Sequence, residues 1–240
     1  MIELDAAEAT AWAPPPGGGR DRVVRLLGPV SLRLAEHRVA VVGANGSGKS
    51  TLARLAAGLV RPSSGTVRVD GLDTVRDAAA VRRHLGILFT DPDAQLLMPT
   101  PVEDVMLSLR RTPVVAAARR AAALDWLDRF GLADHADRSV HVLSGGQKQL
   151  LALASVLATG PEVLVCDEPT TLLDLHWRAV VDDVLAGLPQ QVLLVTHDLE
   201  AAARADRVVV VHAAAVAADG APGPAIDAYR GLVLPGLRPC

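Results

Sequence analysis

Apolar and polar positions divide the chain into short strands and longer helices. In Arg38-Val39-Ala40-Val41-Val42 one charged residue precedes four apolar ones, the length and β-branched character of a strand buried on both faces. Similar runs predict strands near Thr66 to Val69, Leu85 to Phe89, Val163 to Cys166, Gln191 to Thr196 and Arg207 to Val211. Helical segments are expected from near Gly48, from Gly145 and from Asp174. Before them, PPPGGG (Pro14 to Gly19) can form neither helix nor strand interior, so it reads as a loop between a short first strand and another at Val23 to Leu27. Strands alternating with helices imply a mostly parallel sheet covered on both faces.

From Thr100 to Val142 the strand signals vanish. Ala, Leu and Arg dominate, and Pro101 and Pro113 stand where helices are expected to begin. This segment reads as a helical insertion, and Leu124, Trp126, Leu127 and Phe130 give its second half an apolar face.

Composition narrows the picture. Half of the 240 residues are hydrophobic and only 2% aromatic, so the core must be built from Ala, Val and Leu. With 24 basic and 27 acidic residues, the net charge of -3 gives no bulk attraction to nucleic acid or anionic lipid. The longest apolar stretch, Val208 to Ala218, contains His212 and is too short to span a bilayer. The opening MIELDAAEAT carries acids where a secretory signal carries basic residues, so a cytosolic chain is expected. Cys166, inside an apolar run, and the last residue, Cys240, have no metal-ligand spacing, and Cys166 reads as a small core residue.

GANGSGKS, from Gly43 to Ser50, fits G-x-x-x-x-G-K-[ST] between a strand and a helix. Gly43, Ala44, Asn45, Gly46, Ser47 and Gly48 would turn backbone N–H groups around a phosphate at the positive end of the next helix. Lys49 would reach the β- and γ-phosphates, Ser50 would offer its hydroxyl to Mg²⁺, and Thr51 is a further phosphate donor. Lys49 and Lys148 are the only lysines, which argues against a mere solvated surface charge at Lys49. In EVLVCDEP the apolar strand ends at Asp167 and Glu168, suited to Mg²⁺ and to the attacking water as general base. His197, in LLVTHD, is placed to orient that water and hold the γ-phosphate end.

LSGGQKQ, from Leu143 to Gln149, opens a helix with a serine and two glycines, a second anion-accepting helix start. With its phosphate loop, signature, acidic strand end and switch histidine in this order, the chain resembles the ABC transporter ATPases over nearly its whole length. The resemblance implies an α/β P-loop NTPase with a mostly parallel central sheet, an amino-terminal antiparallel β subdomain and an inserted α-helical subdomain. The expected boundaries are 1–37 for the β region, 38–99 and 143–211 for the P-loop core, 100–142 for the helical subdomain and 212–240 for a carboxy-terminal extension.

It also implies a head-to-tail dimer, of identical chains or close relatives, enclosing two ATP molecules. Ser144, Gly145, Gly146 and Gln147 would act on the nucleotide held by the partner, and Asp174, in TTLLD, at the dimer contact. LFTDPDAQLLMPTPVEDV, from Leu88 to Val105, is similar to the matching stretch of energy-coupling factor ATPases. There a P-D-x-Q segment forms a short helix touching a membrane coupling subunit, which assigns that contact to Asp93 and Gln95. Such importers also carry a substrate-binding membrane subunit and take up vitamins or transition-metal ions. The look is closest to the biotin and cobalt modules, with biotin preferred, and it implies a peripheral location on the cytoplasmic face of the cell membrane.

Three departures stand out. Thr90 replaces the glutamine that touches Mg²⁺ and water, Trp12 is the sole amino-terminal aromatic for stacking on adenine, and Leu150 replaces an arginine after the signature. Two other readings compete: an ATP-binding regulatory module with little hydrolysis, which Thr90 favours, and a soluble ABC ATPase acting on nucleic acid or ribosomes. The second is disfavoured because the chain has neither a coiled-coil insertion nor a basic face legible in its sequence.

Overall fold

The computed structural model describes residues 1–14 and 21–234, so most of the expected PPPGGG loop and Cys240 lie outside the described residues. Two compact units emerge, Met1–Arg82 with Gln191–Cys240, and Arg83–Gln190.

The first unit opens on β1 (Ile2–Ala13), longer than the short strand expected, paired antiparallel with β2 (Arg22–Leu34) from Ile2↔Leu34 to Ala13↔Arg22. Alternation drives the pairing: Ile2, Leu4, Leu32 and Leu34 are buried while Glu3 and Arg33 face outward and pair with each other. β3 (Arg38–Val42) leads into α1 (Lys49–Ala56), followed by β4 (Ser64–Val69), β5 (Leu72–Asp73) and α2 (Ala78–His84). The antiparallel sheet has the order β2-β1-β4-β5.

In the second unit, β6 (Leu85–Leu88) pairs parallel with β7 (Val163–Asp167), which is buried throughout. A short 3-10 turn at Pro92–Ala94 precedes α3 (Pro101–Leu109), and Pro101 occupies the first turn as expected. Pro113 does not start a helix. Thr112 closes α3, its hydroxyl donating to Leu109 O at 2.8 Å, and α4 (Arg119–Arg129) begins only after a 3-10 turn at Ala116–Ala118. α5 (Gly145–Leu157), β7 and α6 (Leu175–Gly187) complete the unit. Buried Asp104, 4% exposed, holds it together: its carboxylate accepts from the Leu97 and Met98 N–H groups at 2.8 and 3.1 Å and from the Ser155 hydroxyl at 2.8 Å.

Back in the first unit, β8 (Gln191–Val195), α7 (Leu199–Ala203), β9 (Arg207–His212), β10 (Ala215–Gly220) and α8 (Pro222–Val233) follow. The strand order here is β10-β9-β3-β8, with β3 parallel to both neighbours and β10 antiparallel. Ala40 and Val42 of β3 pack with Val208 and Val210 of β9, Ala202 of α7, and Ala225 and Ile226 of α8. No helix among the described residues is long and apolar enough to cross a membrane.

Candidate active site

In the first unit, β3 and β8 run parallel in the register Val41↔Val195, so the loops after them emerge at the same carboxyl edge. One of these loops is Gly43 to Gly48. Gly48 adopts φ 108°, a left-handed conformation that strains any other residue, and a Cβ there would lie 2.8 Å from Leu26 O. The chain can therefore wrap tightly and enter α1 with Lys49, 5% exposed, at its first position. Gly48, at the N-cap of α1, has no side chain with which to cap it, and the positive end of the helix suits an anion. A cavity of about 400 Å³ beside it is lined by Gly46, Gly48, Lys49, Ser50 and Thr51 together with Val24, Arg25, Leu26 and Ala214.

The last four belong to β2 and to the β9–β10 turn, and they escaped the sequence reading. Ala214 is fastened to the loop: its N–H donates to Ser47 O at 2.9 Å and its carbonyl accepts from Gly28 N at 2.6 Å.

The loop after β8 carries exposed His197 between Thr196, whose hydroxyl accepts from Asp198 N at 2.9 Å, and Asp198, which caps α7. The histidine is thus held at a fixed strand end, in the unit that holds the phosphate loop. Trp12 is 72% exposed and pairs across the sheet with Val23, while Thr10 pairs with Arg25. Two-residue alternation puts Trp12 on the face of Arg25, which lines the cavity.

In the second unit, β7 ends at Asp167, 7% exposed. Thr90 donates its hydroxyl to Asp167 O at 2.6 Å, joining the loop after β6 to the strand end, and the threonine oxygen keeps acceptor capacity for a metal. Glu168 follows with φ 54°, a strained backbone for a residue with a side chain, and its carboxylate accepts from the Thr171 hydroxyl at 2.9 Å. Strain of this kind aims a side chain away from the line of its strand. Cys166 is fully buried, as read from the sequence, and burial, with the Asp167 charge as a lesser cause, pushes its thiol far above the usual range.

Ser144 caps α5 in a reciprocal box: Gln147 N donates to Ser144 Oγ at 3.2 Å and Ser144 N donates to Gln147 Oε1 at 2.9 Å. Asp174 caps α6, its Oδ1 accepting from Trp177 N at 2.9 Å. Asp93 lies in the expected short helix and is gripped by Lys148 Nζ at 2.8 and 3.0 Å. A cavity of about 540 Å³ opens there, lined by Asp93, Leu96, Leu97, Met98, Pro99, Ser139, Val140, His141 and Lys148.

Gln95 departs from its expected outward role. Its amide turns inward, accepting from Phe89 N at 3.2 Å and donating to Ile87 O at 3.1 Å, so it satisfies backbone groups at and just past the end of β6. Gln149, fully buried, donates to Phe89 O at 3.1 Å. Lys148 and Gln149 thus tie the 89–95 segment to the signature helix, a role the sequence reading did not assign.

A family model described as ABC transporter matches residues 27–171. The chain belongs to the ABC transporter ATPase family. This ABC ATPase is 44% identical over 204 residues to a biotin transport ATP-binding protein BioM of Rhizobium etli, covering 85% of this chain and 91% of that one. It is 37% identical over 225 residues to the energy-coupling factor transporter ATP-binding protein EcfA1 of Bacillus subtilis, covering 91% and 80%. A dimeric ATP-binding cassette, MJ0796, solved in a post-hydrolysis state with ADP and Pi, superposes with a TM-score of 0.77 at 28% identity, covering 92% and 99% of the two chains. The ABC ATPase is thus of the energy-coupling factor type and hydrolyses ATP, on a P-loop NTPase fold.

Proposed function

We propose that the chain is the ATP-hydrolysing subunit of an energy-coupling factor importer, peripheral to the cytoplasmic face of the membrane. Two copies, or this chain and a close relative, close head to tail on two ATP molecules, and that closure drives uptake of a vitamin, biotin in preference, or of a metal ion. The observation that carries the hydrolytic part is the strained Glu168 next to buried Asp167 at the end of β7.

Each residue then has a role. The loop from Gly43 to Gly48 and the end of α1 hold the phosphates through backbone N–H groups, and Lys49 neutralises the β- and γ-phosphates. Trp12 stacks on adenine. Glu168 accepts a proton from the attacking water while His197 orients it. Ser144, Gly145, Gly146 and Gln147 face the γ-phosphate of the partner's ATP, and Asp174 meets the partner. Ser50, Asp167 and Thr90 each offer an oxygen donor, the kind a hard cation takes, so the chemistry of each side chain suits Mg²⁺. Bound there, it supplies charge neutralisation of the phosphates.

For the membrane side, the cavity lined by Asp93, Leu96, Leu97 and Val140 is suited to a helix carrying one basic residue, which would share the Asp93 carboxylate with Lys148. Boundaries at 37, 99, 142 and 211 follow the same reading. The test is Glu168→Gln, which retains ATP binding and loses turnover by at least about 100-fold, the scale of a general base. Undiminished hydrolysis removes Glu168 as the base. Purification from membranes, with identification of the integral partners and any retained small molecule, tests the importer and its solute.

A further inference from the structure

Gly146 is the second residue of α5, and a Cβ there would fall inside the indole of Trp177, 2.6 Å from Cε2 and closer still to Cγ and Cδ2. The tryptophan therefore lies directly on the signature backbone. One residue earlier the contact continues, with Leu173 Cδ2 3.9 Å from where a Cβ of Gly145 would be. These two contacts flank Asp174, which holds the Trp177 N–H, and the His176 ring meets the indole edge-on at 5.3 Å. The first turn of α6 and the first turn of α5 are thus joined by a flat, rigid side chain with few rotatable bonds.

We propose that Trp177 is a positioning residue for ATP hydrolysis: seated on Gly146, it locks the signature tip and the Asp174 loop of one protomer into one block. The proposal rests on the reading that Ser144 acts on the ATP held by the partner. Under it, a signature tip free to tilt against the Asp174 loop meets the γ-phosphate out of line. A mispositioning of this kind slows the chemical step and leaves the protomer's own ATP cradle, in the other unit, untouched. It also gives Gly146 a requirement distinct from close approach to nucleotide, since its missing side chain is the seat of the ring.

The test compares Trp177→Ala, Trp177→Phe, Gly146→Ala and the double variant Gly146→Ala with Trp177→Ala, each as the full chain. Trp177→Ala is expected to lower kcat about tenfold with KM for ATP within about twofold, and Trp177→Phe to recover most of the loss. In thermal unfolding, Gly146→Ala is expected to lower the midpoint in the wild-type background and to have no effect beside Trp177→Ala, because the collision is gone. Wild-type kcat in Trp177→Ala, no recovery in Trp177→Phe, or an equal midpoint loss from Gly146→Ala in both backgrounds overturns the proposal. Light scattering of Glu168→Gln with ATP checks the underlying reading separately. If that chain remains monomeric, the in-trans reading with an identical partner fails even where the two unfolding midpoints still depend on each other.

Discussion

Trp12 shows how far a single residue can be read. Its sequence position singled it out as the one amino-terminal aromatic, and the structure gives it an indole 72% exposed on the face of Arg25. A large apolar ring left in water is open to stacking by a base. Trp12→Ala should raise KM for ATP about 3- to 10-fold, the worth of one aromatic contact, with kcat little changed. ATP titration should quench the emission of wild-type protein and leave that of Trp12→Ala unchanged.

Other residues were legible for a different reason. Asp167 and Cys166 could be placed because a short, β-branched apolar run that ends in two acids reads as an inner strand, so what lies within it and at its end follows. Gln95 and Lys148 could not. Their partners are chosen by loop backbone and by a residue 55 positions away, and no local pattern records such pairings.

Among elements, those with strong periodicity or an apolar run were visible, and those set by tertiary contacts were not. β10 went unseen because Ala-Val-Ala-Ala-Asp-Gly alternates only weakly and its hairpin turns through Ala213 and Ala214, with φ 47° and 62°, where Asn-Gly is the usual signal. Pro113 misled because a proline that follows a helix looks like one that starts another. α3 offers the sharpest check of element packing. Asp104 lies in its first turn, where the helix dipole favours an acid. In the structure it is the acceptor for two loop N–H groups and a serine hydroxyl from α5. Asp104→Ala leaves these donors unmatched in a buried place and should cost about 3 kcal/mol, read from the urea midpoint.

At the scale of the whole molecule, the P-loop, acidic strand end and signature fit a chain that completes its chemistry with a second ATPase subunit, a copy of itself or a close relative. Glu168→Gln with ATP and Mg²⁺ should therefore accumulate as a dimer in light scattering, and removal of the cation with EDTA should return it to monomer. Failure to dimerise with intact ATP binding would count against a head-to-tail pair of identical chains. The overall family was legible because its phosphate-binding turns are local and glycine-rich. The joining of α5 to α6 through Trp177 was not, because it depends on which ring settles against which bare backbone.

The scarcity of lysine has a practical side. One ammonium is shut inside the phosphate cradle at 5% exposure and the other is clasped by Asp93, so an acylating reagent finds no ordinary lysine surface to consume it. Apart from the Met1 α-amino group, which Asp70 holds, gentle amine labelling thus reports on two events, opening of the fold around Lys49 and release of the clasp on Lys148, each readable as a single mass increment on its own peptide.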